Sequence, residues 1–229
     1  MSNLVTDLKT LKQESENPGT YLKDSSINLD NIYQLTTKRF FDLTISLLFL
    51  LFVGWWLFLV ISLLIVLESK GPVFYKQMRH GQNNVPFYCM KFRSMKFSPK
   101  GHFKQATKDD PRITKVGKFL RKTSLDELPQ FLNVFMGEMS IVGPRPHAIV
   151  MNRDYSTKIE NFMSRHMVKP GITGLAQAKG FRGEILSDFD INSRLKLDLF
   201  YIKKWSVLLD LKIIIMTINC LLFENENAY

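Results

Sequence analysis

"LTISLLFLLFVGWWLFLVISLLIVL", residues 43–67, carries no charged side chain. A bilayer core accommodates a helix of about 20 apolar residues, so this run is long enough to enter one. Core helices of soluble proteins rarely stay uncharged for so long, and the run is read as a membrane-inserted helix. Its flanks are both cationic: Lys38 and Arg39 precede it, and Lys70, Lys76 and Arg79 follow. Two cationic flanks oppose a plain span, because the positive-inside rule draws both to the cytoplasmic side. A helix that enters, bends and leaves by the same face satisfies the charges. Bends usually rest on proline, and none stands between Lys38 and Glu68; Gly54, backed by Ser46 and Ser62, is the weak point.

The rest of the chain divides around that anchor. Residues 1–37 are polar, contain "ENPG" and read as a mobile leader without a signal peptide. Residues 38–68 form the membrane segment, 69–223 a folded domain, and 224–229 a tail. The 229 residues carry a formal charge of +10, which favours anionic partners: nucleic acid, acidic lipid or phosphorylated ligands. Cys89 and Cys220 stand alone, and His80, His102, His147 and His166 lack zinc spacing, so a reduced protein without structural metal is expected.

Within the domain, "GPVFYKQ" and "VPFYCMKFRSM" read as strands of a hairpin around "HGQNN". "KVGKFLRKTS" reads as a short helix with Val116, Phe119 and Leu120 on one side. "DELPQFLNVFMGEMS" reads as a second helix ending at Gly137. Two prolines make "VGPRPHA" an extended turn. Residues 149–166 read as helical and charged, and "VKPGITGLAQAKGFRG" as a glycine-rich loop making backbone turns. Residues 190–223 read as one or two amphipathic helices around Trp205, either interfacial or part of the core.

The chemistry centres on "SLDELPQ", residues 124–130. One reading is a helix start, with Ser124 and Glu127 as a capping box and Asp126 complementing the helix dipole; Pro129 fits such a helix poorly. The other is a reacting centre. Lys91, Arg93, Arg112, Lys118, Arg121, Lys122 and Arg145 lie before and after the two carboxylates, a set suited to an anion pocket that also holds a nucleophile. A carboxylate is ionised at neutral pH and attacks phosphorus without a general base. Cations or Mg²⁺ would neutralise the phosphoryl oxygens. Neither a GxxxxGK[ST] loop nor a GxGxxG fingerprint is present.

The anchor followed by "GPVFYKQ", "KFRSM", "DDPRITKVGKFLRKTSLDELPQFLNVFMGEMSIVGPRP" and "KPGITGLAQ" resembles the bacterial sugar transferases, monotopic polyprenol-phosphate phosphoglycosyl transferases, over residues 38–223. The resemblance implies an α/β, helix-rich mixed fold. It comprises a compact cytosolic catalytic domain, a re-entrant membrane helix, which in the family is broken at a Ser-Pro pair absent here, and interfacial amphipathic helices. It implies transfer of a sugar-1-phosphate from a UDP-sugar to undecaprenyl phosphate, with release of UMP, as the first membrane step of glycan synthesis. Asp126 matches the family's nucleophile, which forms a covalent phosphosugar intermediate. Glu127 matches the residue associated with the required Mg²⁺. Lys91, Arg121 and Arg145 match positions near phosphate, and Arg93 and Arg112 join them as candidate nucleotide-binding cations. The C-terminal motifs look like those of exopolysaccharide-initiating glucose-1-phosphate transferases, so UDP-glucose or UDP-galactose is the expected donor. The implied setting is the cytoplasmic face of a bacterial inner membrane, in contact with lipid and not with nucleic acid; a homodimer is compatible with it. The rival classes are a membrane-anchored protein that binds acidic lipid without turnover, and a basic nucleic-acid binder, which the apolar run disfavours.

Overall fold

The computed structural model describes residues 32–97, 107, 110–181, 183, 185 and 187–223. The leader as far as residue 31 and the tail 224–229 lie outside the described residues, and the chain is already helical at Ile32. The apolar run is helical throughout: α1 (Ile32–Phe49) passes through a π-helical turn (Leu50–Gly54) into α2 (Trp55–Glu68). As a helix the run pairs its own backbone groups, which a segment in hydrocarbon requires. Only 17% of its most apolar window is buried, so it is no soluble-core helix; Leu51, Phe52, Trp55, Leu59, Leu63 and Leu67 face outward. The widened turn sits where Gly54 was the expected weak point. Wide turns of this kind interrupt the regular hydrogen-bond ladder without proline. Ser46 and Ser62 donate back to the Leu43 and Phe58 carbonyls, at 3.1 and 2.5 Å.

Both arms of this helix pack on the same domain. On α1, Arg39 donates to the Val134 and Phe135 carbonyls, Asp42 accepts from Ser140 Oγ and Ile141 N, each at 2.9 Å, and Phe49 stacks on Phe131 with centroids 3.9 Å apart. On α2, Phe58 meets Phe92 edge-on, and Ile61 and Ile65 are buried with Phe92 and Leu120. At its end Glu68 accepts from Lys115 N and Val116 N, at 2.6 and 3.0 Å.

The hairpin expected from the sequence is present. Strands β1 (Phe74–His80) and β2 (Pro86–Phe92) pair antiparallel, with Phe74 opposite Phe92. The turn between them places Asn83 and Asn84 in the left-handed region, φ 53° and 61°, which asparagine tolerates. Then follow α3 (Lys115–Lys122), a 3₁₀ turn (Leu125–Glu127), α4 (Gln130–Met136) and β3 (Ser140–Val142). After them come α5 (Ile149–Lys158), a 3₁₀ stretch (Phe162–Met167), β4 (Gly171–Thr173), α6 (Leu175–Ala178), α7 (Asp188–Lys204) and α8 (Val207–Phe223). Strands β3 and β4 form a short parallel pair.

The glycine-rich loop has a packing explanation. A Cβ on Gly171 would lie 2.1 Å from Gly143 N, and one on Gly143 would lie 2.5 Å from Lys169 O. "VGPRP" and "KPGITG" therefore interlock backbone to backbone. The main core gathers Val134, Met139, Val142, Tyr201, Trp205 and Ile213. Trp205 is thus a core residue; its Nε1 donates to Asp210 Oδ2 at 3.1 Å. The buried Asp210 also accepts from Tyr201 OH at 2.8 Å and pairs with Lys38 at 2.7 Å, tying α1 to α7 and α8. Helix α8 keeps an outward apolar stripe, Leu208, Leu211, Ile215 and Ile218, at helical spacing.

Candidate active site

Helix α3 is fixed at both ends before the chain reaches the dyad. Thr114 Oγ1 accepts from Gly117 N at 2.9 Å, which caps its start. Gly117 lies so close to β2's continuation that a Cβ would fall 2.0 Å from Ser94 O. Arg121, in the last turn, donates from Nε to Ser94 Oγ at 2.8 Å.

Ser124 then reverses the chain in the left-handed region, φ 57°, without a side-chain capping bond. The capping-box reading therefore does not hold. Pro129 instead occupies the N-cap of α4, where its missing N–H costs nothing. The intervening residues form a single 3₁₀ turn, in which positions three apart eclipse each other. Leu125 and Leu128 both pack into the cluster of Ile61, Ile65, Phe92 and Leu120. Asp126 and Glu127 between them are buried, at 8% exposure each.

Glu127 is held by two cations. Its Oε1 accepts from Lys91 Nζ and from Arg145 Nη2, both at 2.6 Å; Oε2 accepts from Arg145 Nη1 at 3.2 Å. Lys91 reaches it because β2 alternates, so Lys91 shares the inward face of Phe87 and Cys89. Burial alone would raise the Glu127 carboxyl, but Arg145 and Lys91 reverse this and hold it well below the ordinary range. Asp126 differs: among the described residues no hydrogen bond or ion pair occupies its carboxylate. Burial raises its pKa, the Glu127 charge adds to the rise, and Lys91, Arg121 and Arg145 oppose it. Two adjacent carboxyls are thus pushed apart, one fixed as a charge and one left with its oxygens available, the pattern by which paired carboxylates divide roles.

Of the expected cations, Lys91, Arg121 and Arg145 are brought to the dyad. Arg93 is not: its Nη2 donates to Ile65 O at 3.3 Å and Ser69 O at 2.6 Å, closing the C-terminus of α2. Arg112 directs its guanidinium to Asp110, with Nε 2.9 Å from Oδ1. Sequence reading overlooked Asn133, buried in α4. Its Oδ1 accepts from Met90 N at 3.0 Å and its Nδ2 donates to Tyr88 O at 2.8 Å, so it sets β2, and with it Lys91, against the dyad's helix. Its place beside Leu132 and Val134 on a short helix gave no sign of this. Among the described residues no group of three or more His, Cys, Asp or Glu could hold a metal unaided. Mg²⁺ needs only one or two carboxylates when substrate phosphates complete its shell. The available Asp126 carboxylate and the lightly engaged Oε2 of Glu127 meet that lower requirement.

The bacterial sugar transferase family model matches residues 33–224. A UDP-glucose:undecaprenyl-phosphate glucose-1-phosphate transferase of Klebsiella pneumoniae is 48% identical over 93% of this chain and 45% of its own length. One of the same name from Escherichia coli K12 is 50% identical over 84% of this chain and 41% of its own. The exopolysaccharide production protein PSS of Rhizobium leguminosarum bv. phaseoli is 43% identical over 80% of this chain and 94% of its own. The chain spans less than half the length of the first two. With a match running from the start of the long apolar helix through the dyad to the end of α8, the chain belongs to the bacterial sugar transferase family.

Proposed function

We propose that this protein transfers a hexose-1-phosphate, glucose in the first instance, from its UDP-sugar to undecaprenyl phosphate and releases UMP. The observation that carries the reading is the asymmetry of the dyad, with Glu127 clamped by Lys91 and Arg145 beside an unengaged Asp126. The names of the Klebsiella pneumoniae and Escherichia coli relatives support the donor and the acceptor.

In this reading an Asp126 oxygen attacks the phosphorus that bears the sugar. A new O–P bond forms, the bond to the bridging oxygen breaks, and UMP departs with the electron pair. An oxygen of undecaprenyl phosphate then attacks the same phosphorus and displaces the carboxylate. No proton transfer is needed, because nucleophile and acceptor are both already anionic. Lys91, Arg121 and Arg145 stabilise the charge that develops on the phosphoryl oxygens. Asp126 and Glu127 Oε2 would hold Mg²⁺ together with the donor's phosphates, and the ion would supply charge neutralisation at the diphosphate. Glu127 keeps Lys91 and Arg145 aimed at the reacting centre.

We place the site at the cytoplasmic face of the bacterial inner membrane. The contacts of both helix arms with one domain support a re-entrant anchor, and the apolar stripe of α8 supports its lying at the lipid interface.

The test is UMP release from UDP-glucose with undecaprenyl phosphate and Mg²⁺, by wild type and Asp126→Asn. The reading expects turnover in the first and a loss of at least about a thousandfold in the second, with membrane association intact. A wild type that releases no UMP from any UDP-sugar overturns it.

A further inference from the structure

We propose that Arg165 is a positioning residue for the transfer, acting through Arg145; this rests on the functional reading above. Arg165 belongs to the 3₁₀ stretch Phe162–Met167 and is 2% exposed. Its Nη2 donates to the carbonyl oxygen of Arg145 at 2.8 Å and forms an ion pair with Asp198 Oδ2 of α7 at 2.6 Å. Its Nη1 lies 2.9 Å from Nδ1 of His147, two residues beyond Arg145. The guanidinium also lies over the Phe162 ring, 5.4 Å from the centroid.

The segment it grips has no secondary structure of its own. Gly143–His147 runs between β3 and α5 with prolines on both sides of Arg145, so no helix or sheet ladder orients the Arg145 backbone. Three successive carbonyls are taken one by one instead: Pro144 O by Gly171 N at 3.0 Å, Arg145 O by Arg165, and Pro146 O by Arg79 Nη1. Arg145 is thus held at two ends, its side chain by Glu127 and its backbone by Arg165. A buried ion pair is a poor device for stability alone, because well-packed apolar residues serve as well or better. What Arg165 adds is direction: a planar fork that fixes a carbonyl, an imidazole and a carboxylate at once.

The test compares wild type, Arg165→Lys, and the paired replacement Arg165→Met with Asp198→Leu, which removes both charges of the ion pair together. Each is made with and without Arg145→Ala, and rates are expressed per folded molecule. The expected result is a fall in kcat of ~10-fold or more, with KM for UDP-glucose changed by less than about threefold. That fall should vanish in the Arg145→Ala background. An unchanged kcat, or a fall that multiplies in full with that of Arg145→Ala, overturns the proposal. Amide exchange at Arg145, His147 and Ala148 gives a readout independent of turnover. Faster exchange there in Arg165→Lys, with β4 unaffected, supports the grip even if wild type transfers no sugar; unchanged exchange refutes it.

Discussion

Arg145 meets Glu127 side-on, with Nη2 2.6 Å from Oε1 and Nη1 3.2 Å from Oε2. The two-point contact fixes the plane of the guanidinium, and a lysine cannot reproduce it. Arg145→Lys should therefore lower the rate of UMP release by about 10²-fold while the protein stays folded and membrane-bound. Near-normal rates in washed membranes would show that the fork geometry is dispensable.

In the proposed mechanism Asp126 must be ionised to attack, and burial raises its pKa. As pH falls through that raised value the protonated fraction grows and the rate drops, so the acid limb should lie above the ordinary carboxylate range. Arg121 opposes the rise; removing its charge in Arg121→Gln should move the limb to higher pH. A pH–rate profile of both proteins decides this, and an identical limb would detach Arg121 from Asp126.

Buried Asp198 titrates at about 6, raised chiefly by desolvation against the pull of Arg165 and Arg194. Its folded pKa exceeds the unfolded one, so the folded state holds the proton more tightly. Its contribution to stability therefore grows as pH falls from 7 towards 4, by roughly 3 kcal/mol at most. Asp198→Asn should flatten that part of the stability curve. Chemical denaturation of detergent-solubilised protein at pH 7 and 5 would read the change; equal slopes in both proteins would contradict it.

Gly171→Ala would drive a methyl group to 2.1 Å from Gly143 N. Backbone cannot yield as a side chain does, so a loss of more than about 3 kcal/mol is expected. Gly180, with φ +87° and nothing within 4 Å of a built Cβ, should cost only about 1–2 kcal/mol on the same change. Thermal unfolding of the pair would separate a packing requirement from a merely conformational one.

A re-entrant anchor predicts that cysteines introduced at Tyr33 and Lys70 label from the same side of the membrane. Cys89 and Cys220 are buried and give little background. Labelling from opposite sides would establish a span.

The sequence carries the periodic elements openly. The uncharged run, the β1–β2 hairpin and α3 follow from composition, turn residues and spacing. The dyad's local form was less visible: a serine three residues before a glutamate reads as a cap, yet eclipsed Leu125 and Leu128 and the position of Pro129 make a 3₁₀ turn. Among the cations, spacing alone treats Lys91, Arg93 and Arg145 alike, and it was the family resemblance that set Lys91 and Arg145 near phosphate; the tertiary fold sends Arg93 to the end of α2 and the other two to Glu127. Arg165 and Asn133 were hidden for the same reason: the carbonyls of Arg145 and Tyr88 that they reach, and the Asp198 carboxylate that Arg165 pairs with, are brought to them only by the fold.

The leucines on either side of the dyad share one apolar cluster with Ile61 and Ile65, and Glu68 receives the first amides of α3. The apolar arm α2 is therefore a structural wall of the pocket around Asp126 as well as the proposed tether. Trimming it away would strip the apolar support from the turn that carries Asp126, and under the proposed function the depth at which that arm settles in a bilayer would set the height at which donor and acceptor meet.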